Sequence, residues 1–261
     1  MEVILLGTGT SSGVPQLMCD CEVCRSDDPR DKRMRSSALI ITENGKRILI
    51  DCGPDLLRQL LQAGTPERID AVMVTHSHYD HVAGLDELRP YTVAHEGGLP
   101  VYCSADVAAD LRSRVPYCFY EKAHPGVPHL RLNIVEPGKC FAIDGDDTQI
   151  EPITVNHGRL PIFGYRMGKF AYITDCKTMP VESLAKLRGT DTLVINALRH
   201  EEHPTHMNLR QALDVIKETA PRRAILTHMS HGIGLHAQTM RSLPENVEQG
   251  YDGLRLSIQK R

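Results

Sequence analysis

Apolar residues fall in short uninterrupted blocks along this chain, separated by turn-forming residues. The blocks Val3–Leu6, Ala38–Thr42, Arg47–Asp51, Ala71–Val74, Ile150–Val155, Ala171–Thr174, Thr192–Asn196, Ala224–Leu226 and Leu254–Ser257 predict β-strands. Several are apolar at successive positions, as expected of strands buried on both faces. A helical spacing recurs over Asp55–Ala63, Asp106–Arg114, Val181–Leu187 and Leu209–Thr219. The last is the clearest: Asn208 with Gln211 resembles a capping box, Leu209, Ala212, Leu213 and Ile216 share a face, and Pro221 ends the run. "ALIITENGKRILID" reads as a hairpin about Asn44–Gly45. Strands and helices alternate only loosely, so the pattern predicts a mixed α/β sandwich in preference to a doubly wound sheet. No linker interrupts it, and one domain over 1–261 is expected. Residues 91–130, rich in Gly and Pro, read as an excursion over the surface, with Tyr117, Phe119 and Tyr120 either packing it down or shaping a pocket.

Composition narrows the classes. With 261 residues, 41% hydrophobic and 24% charged, the chain can bury a sizeable core. A net charge of -3, few aromatics and no tryptophan argue against a nucleic-acid surface. The opening "MEVILLGTGT" has no basic segment followed by a long apolar one, and no run approaches the roughly 18 apolar residues of a spanning helix, so a cytoplasmic protein with no membrane partner is expected. In that compartment disulfides are rare, and eight cysteines read as metal ligands plus core thiols. "LGTGTSSG" imitates a dinucleotide fingerprint, but its glycine spacing is wrong and cysteines follow where a helix should start, so it reads as a tight strand-to-loop turn.

The chemistry concentrates in "VMVTHSHYDHVAGL". A buried strand runs into His76, His78, Asp80 and His81. Four ligand-type side chains so close together cannot be a core pattern, because each would need its own buried partner. In an extended chain His76, His78 and Asp80 project to one side, and His81 adds another direction as a helix begins. Imidazole with carboxylate suits Zn, Mn or Fe. Further ligand types end apolar runs at His157 ("EPITVNHG"), Asp175 ("FAYITD") and His228 ("RAILTH"), as a metal held at one rim of a sheet requires.

"THSHYDH" matches the H-x-H-x-D-H signature of the metallo-β-lactamase fold, and the later His, Asp and His follow in that fold's order. The chain resembles this family along essentially its whole length, which implies a four-layer αβ/βα sandwich with mixed sheets. By the same resemblance His76, His78 and His157 would hold one divalent metal, Asp80, His81 and His228 a second, and Asp175 would bridge them. The metals would be Mn or Zn, or Fe. A histidine at 78, where the diiron flavoproteins of the fold carry glutamate, favours hydrolysis over redox chemistry.

Within that fold the chain most resembles the PhnP-like phosphodiesterases. They carry a C-x-C-x2-C cluster near the N-terminus and a T-H-x-S-H segment, here "CDCEVC" and "THMSH". The resemblance implies a structural zinc held by Cys19, Cys21, Cys24 and His231. Cys52, Cys103, Cys118, Cys140 and Cys176 lack such spacing and read as core or surface thiols. In the PhnP-like proteins a histidine placed as His206 is, before Asn208 and Leu209, lies at the active site, where it would contact the phosphate and protonate the leaving oxygen; a surface histidine near a helix start is the bland alternative. His200 and His203 are weaker candidates, and His95, His124, His129 and His236 read as ordinary. Backbone N–H groups about Ser11, Ser12 and Gly13 would contact substrate, or the loop is a structural turn.

The implied activity is hydrolysis of a small phosphodiester, expected to be cyclic, by a hydroxide bridging the two metals. A tRNA 3′-end endonuclease of the tRNase Z kind is the runner-up, although no long basic arm is evident. A glyoxalase II-type thioester hydrolase is third. A degenerate, non-enzymatic scaffold is disfavoured because all seven proposed ligands are present. Dimers are common in the family, and a homodimer is carried as an expectation.

Overall fold

The computed structural model describes residues 1–121 and 126–259. Among the described residues thirteen strands form two mixed sheets. The first sheet takes β1 (Glu2–Gly7), β2 (Ser37–Ile41), β3 (Arg47–Ile50), β4 (Ala71–Met73), β5 (Leu99–Cys103), β6 (Leu130–Ile134) and, returning at the end of the chain, β13 (Arg255–Ser257). The second takes β7 (Ile150–His157), β8 (Leu160–Met167), β9 (Phe170–Ile173), β10 (Thr192–Asn196), β11 (Arg223–Thr227) and β12 (Val247–Gln249). Their orders are β13-β1-β2-β3-β4-β5-β6 and β12-β11-β10-β9-β8-β7. Pairing is antiparallel from β13 through β3 and parallel from β3 to β6. In the second sheet it is antiparallel through β9 and parallel from there to β12.

The uninterrupted apolar blocks have a physical explanation in the layering. Val3 and Leu5 of β1, Ile48 and Ile50 of β3, and Met73 of β4 point between the sheets and meet Ile150, Tyr165, Tyr172, Val194 and Ile225 from the other side. Their neighbours Ile4, Leu6, Leu49 and Val72 point outward onto α1 (Leu56–Gln62) and α2 (Ala105–Arg114) through Leu56, Leu60, Val107 and Leu111. On the far side Leu193, Ile195 and Leu226 pack on α3 (Val181–Leu187) and α4 (Leu209–Thr219) through Leu187, Leu209, Ala212 and Ile216. The central strands β1, β3, β4, β10 and β11 therefore bury both faces, and burial of each such side chain contributes about 1.5–3 kcal/mol. The arrangement is the four-layer αβ/βα sandwich.

Residues 91–130 are not a surface excursion. They supply β5, which lies between β4 and β6, then α2 and a short 3-10 turn over Pro116–Phe119. Pro100 misled the sequence reading. It is tolerated because β4 pairs with β5 only from Val101 onward. Tyr117 does pack this segment down, donating its hydroxyl to Asp86 Oδ2 at 2.7 Å. The strand read as Ile150–Val155 runs on to His157, where a tight turn through Gly158 (φ +61°) leads into β8, which the Pro161 and Gly164 positions had hidden. His124 lies outside the described residues. His95 is structural, with Nε2 2.8 Å from the Ile69 carbonyl. No described helix is long and apolar enough to cross a membrane.

Candidate metal centre and active site

The loops leaving β3, β4, β7, β9 and β11 converge at one rim of the sandwich. β4 delivers His76, Ser77 and His78, and a single helical turn over Tyr79–Val82 then turns Asp80 and His81 inward, both buried. That turn is fixed from beneath. Cys52 N–H donates to the His81 carbonyl at 2.8 Å and Gly84 N–H to the Cys52 carbonyl at 2.8 Å. A Cβ on Gly53 would lie 2.1 Å from the Asp80 carbonyl oxygen and one on Gly84 2.2 Å from that of Gly53, so only glycine permits this approach.

The histidines, Asp80 and Asp175 gather into two adjoining donor sets. His76, His78 and His157 place one ligand atom each within 4.8 Å of one another, and so do Asp80, His81, Asp175 and His228. Asp175 spans the two. Its Oδ1 lies 3.3 Å from His81 Nε2 and 3.2 Å from His228 Nδ1, and its Oδ2 lies 3.9 Å from His76 Nε2. His206 stands over both, with Nδ1 3.8 Å from Asp175 Oδ2 and its ring 4.5 Å from that of His157 and 4.9 Å from that of His228.

The electrostatics fit a cation. Burial alone would raise the Asp80 and Asp175 carboxyls, but the surrounding imidazoles hold both below the ordinary carboxylate range. Burial pushes the His81 imidazole down, yet the Asp175 and Asp51 carboxylates carry it well above its usual value. His76, His78 and His228 are lowered, first by burial and also by neighbouring imidazoles, and at all three the Asp175 carboxylate opposes that lowering. His81 Nε2 is buried 3.1 Å from Asp80 Oδ2 and 3.3 Å from Asp175 Oδ1 without hydrogen-bonding geometry to either. Three oxygen or nitrogen donors aimed at one point and not at each other are a ligand set for a divalent metal.

Residues that the sequence reading missed hold the rings in place. Asp51, fully buried, accepts from His81 Nδ1–H at 2.7 Å, from the Thr75 amide at 2.8 Å and from the Thr75 hydroxyl at 2.8 Å. His157 Nδ1–H donates to the Thr205 carbonyl at 2.9 Å. His228 Nδ1 lies 3.1 Å from Ser36 Oγ, and its Nε2 lies 3.2 Å from Thr10 Oγ1. Only Asp51 carried a readable signal, since "RILID" ends an apolar strand in a carboxylate just as "FAYITD" does.

The cysteines form a separate site. Cys19, Cys21 and Cys24 Sγ lie 3.2, 3.3 and 3.7 Å from His231 Nδ1. A tetrahedral zinc with Zn–S about 2.3 Å and Zn–N about 2.0 Å has S···N edges of about 3.5 Å, so the four donors already trace a zinc cage. None of the eight cysteines is in a disulfide. Ser11 and Ser12 are exposed on the loop after β1. Among the described residues the Ser12 hydroxyl bonds only its neighbour's carbonyl, at 3.4 Å, and it is Thr10 whose side chain reaches the centre. His200 turns away, its Nε2 on the Ile233 carbonyl at 3.1 Å.

The Beta-lactamase superfamily domain matches residues 46–229, which takes in every member of the two donor sets. The chain is 45% identical over its whole length to a Porphyromonas gingivalis protein named an octanoyltransferase, and it spans 52%, about half, of that relative. It is 30% identical to coenzyme PQQ synthesis protein B of Methylorubrum populi over 75% of this chain and 72% of that one. The crystal structure of a diphosphatase from the PhnP family superposes with a TM-score of 0.89 at 36% identity, covering 98% of this chain and 97% of that one. The four-layer fold, the donor sets at one rim and these likenesses agree: the chain belongs to the metallo-β-lactamase superfamily and is PhnP-like within it.

Proposed function

We propose that the chain is a dinuclear metal-dependent phosphodiesterase acting on small phosphodiesters, cyclic ones foremost. The observation that carries this reading is the pair of donor sets joined through Asp175. The diphosphatase activity of the PhnP-family relative supports phosphorus as the centre attacked. His76, His78 and His157 would hold one cation, Asp80, His81 and His228 the other, with Asp175 between them. When bound, two divalent cations, Mn or Zn or Fe, lower the pKa of a shared water and neutralise charge on the phosphate oxygens.

The chain's own residues do the rest. Asp51 and the Thr205 carbonyl fix the tautomers of His81 and His157, so that each ring offers its Nε2 lone pair inward. His206 is the proton donor to the leaving oxygen. Burial and the adjacent His228 push its imidazole down to about 3. An anionic phosphate beside the ring would favour its protonated form and so oppose that push. Backbone N–H groups about Ser11 and Ser12 would contact the substrate from the loop whose Thr10 touches His228. A structural zinc on Cys19, Cys21, Cys24 and His231 would brace that same side.

A second reading, thioester hydrolysis, is favoured by one observation, the octanoyltransferase name of the Porphyromonas relative. The test is a hydrolysis panel with Mn- and Zn-loaded protein: bis(p-nitrophenyl) phosphate, 2′,3′-cyclic AMP, phosphoribosyl cyclic phosphate, a dinucleoside diphosphate, an octanoyl thioester and a tRNA precursor. The expected outcome is turnover of a cyclic diester that falls at least about 100-fold in Asp175→Ala. Turnover of the thioester or the tRNA alone would replace the phosphodiester reading.

A further inference from the structure

His203 has no role in the site as drawn above, yet its ring centroid lies 5.1 Å from that of His206. Its protonation pattern can be deduced. The Thr205 backbone N–H points at His203 Nδ1 across 3.4 Å, and the Thr205 hydroxyl lies 3.2 Å from the same atom. A backbone N–H can only donate, so Nδ1 is the acceptor and the proton of the neutral ring sits on Nε2. Among the described residues nothing accepts from that Nε2–H. The side chain is half-buried and so reachable from solvent. Thr205 serves both histidines at once, since its carbonyl fixes His157. One residue thereby sets a metal-facing ring and a free donor beside it.

We infer that His203 is a substrate-binding residue whose Nε2–H donates to a non-bridging phosphate oxygen, alongside His206 at the leaving oxygen. The inference rests on the phosphodiester reading and adds to it a contact from the β10–α4 loop to one of the two non-bridging oxygens that every phosphodiester carries.

Two measurements test it, neither needing turnover. Long-range 1H–15N correlation spectra of the zinc-loaded protein should show His203 protonated at Nε2 and bare at Nδ1. Calorimetric titration with inorganic phosphate should give affinity about 10-fold weaker in His203→Ala, and largely recovered in His203→Gln, whose terminal amide donates from a similar reach. A ring protonated at Nδ1, or a His203→Ala variant that binds phosphate as the unaltered protein does, overturns the inference. The spectra are taken on the unaltered chain, so misfolding of a variant cannot decide the matter. A panel silent on every phosphodiester would sink the wider reading, while the tautomer and phosphate results would still judge His203.

Discussion

Asp51 does at the scale of one side chain what the whole rim does collectively. One oxygen takes the Thr75 amide; the other takes the Thr75 hydroxyl and His81 Nδ1–H. An amide in its place could offer His81 an N–H where it needs an acceptor, and the ring would turn its proton towards the metal position. Asp51→Asn is expected to weaken binding of one catalytic metal by about 10–100-fold while leaving the far-ultraviolet circular dichroism unchanged. Competition with a chromogenic chelator checks this, and unaltered affinity would remove Asp51 from the ligand-orienting role. The ligands themselves were legible because H-x-H-x-D-H is dense and because His157, Asp175 and His228 each end an apolar run. Thr205 and Ser36 were not, since they reach His157 and His228 across 48 and 192 residues of chain. Nor could the sequence reveal that Asp51, Asp175 and His228 all adopt left-handed backbone, with φ of +58°, +57° and +53°. Each costs of order 1 kcal/mol or more, strain tolerated where the chain must turn a ligand off the end of a strand.

Among elements, α4 was read with its start intact because its signals are local. The Asn208 side chain accepts from Gln211 N–H and the Gln211 side chain accepts from Asn208 N–H, closing the capping box two residues after His206. β5, β6, β8 and β12 were missed for reasons of composition and length: a proline or glycine interrupts β5 and β8, Arg131 and Asn133 break the apolar run of β6, and β12 has three residues. The segment after β11 links two sites, with His228 in the catalytic cluster and His231 among the cysteines. Met229 N–H donates to the Thr8 carbonyl and Thr10 N–H to the Met229 carbonyl, so the segment also ties down the β1 loop. In zinc-free protein, alkylation under native conditions should label the half-exposed Cys19 and Cys21 and the exposed Cys140 first, with Cys21, whose hydrogen bonds lower its thiol to about 6, reacting fastest. Adding zinc should protect the cluster but not Cys140. Mass mapping reads this directly, and equal labelling with and without zinc would dismiss the Cys3His site.

For the whole molecule, burial of thiols has a consequence for stability against pH. Burial pushes Cys103, Cys118 and Cys176 up to about 12 from an ordinary 9.0. The folded state therefore keeps protons that the unfolded chain releases above pH 9. Stability from this source is complete below pH 9 and is lost as pH rises from 9 towards 12. Melting temperature should fall on the order of a few degrees per pH unit through that window, and Cys176→Ala should flatten the slope. A melting temperature indifferent to pH between 9 and 11 would show that these thiols ionise in place.

The division of ligands between the sheets sets an order in time. Asp51, His76, His78, Asp80 and His81 belong to the half of the chain made first; His157, Asp175, His206 and His228 belong to the half made last. During synthesis the nascent N-terminal half can present only a partial cage, with nothing to bridge it. A cation held between the two donor sets would thus be taken up late, once the second sheet has docked onto the first. A ribosome-bound fragment, or a chain truncated before His228, would circulate without a completed centre and so without its chemistry.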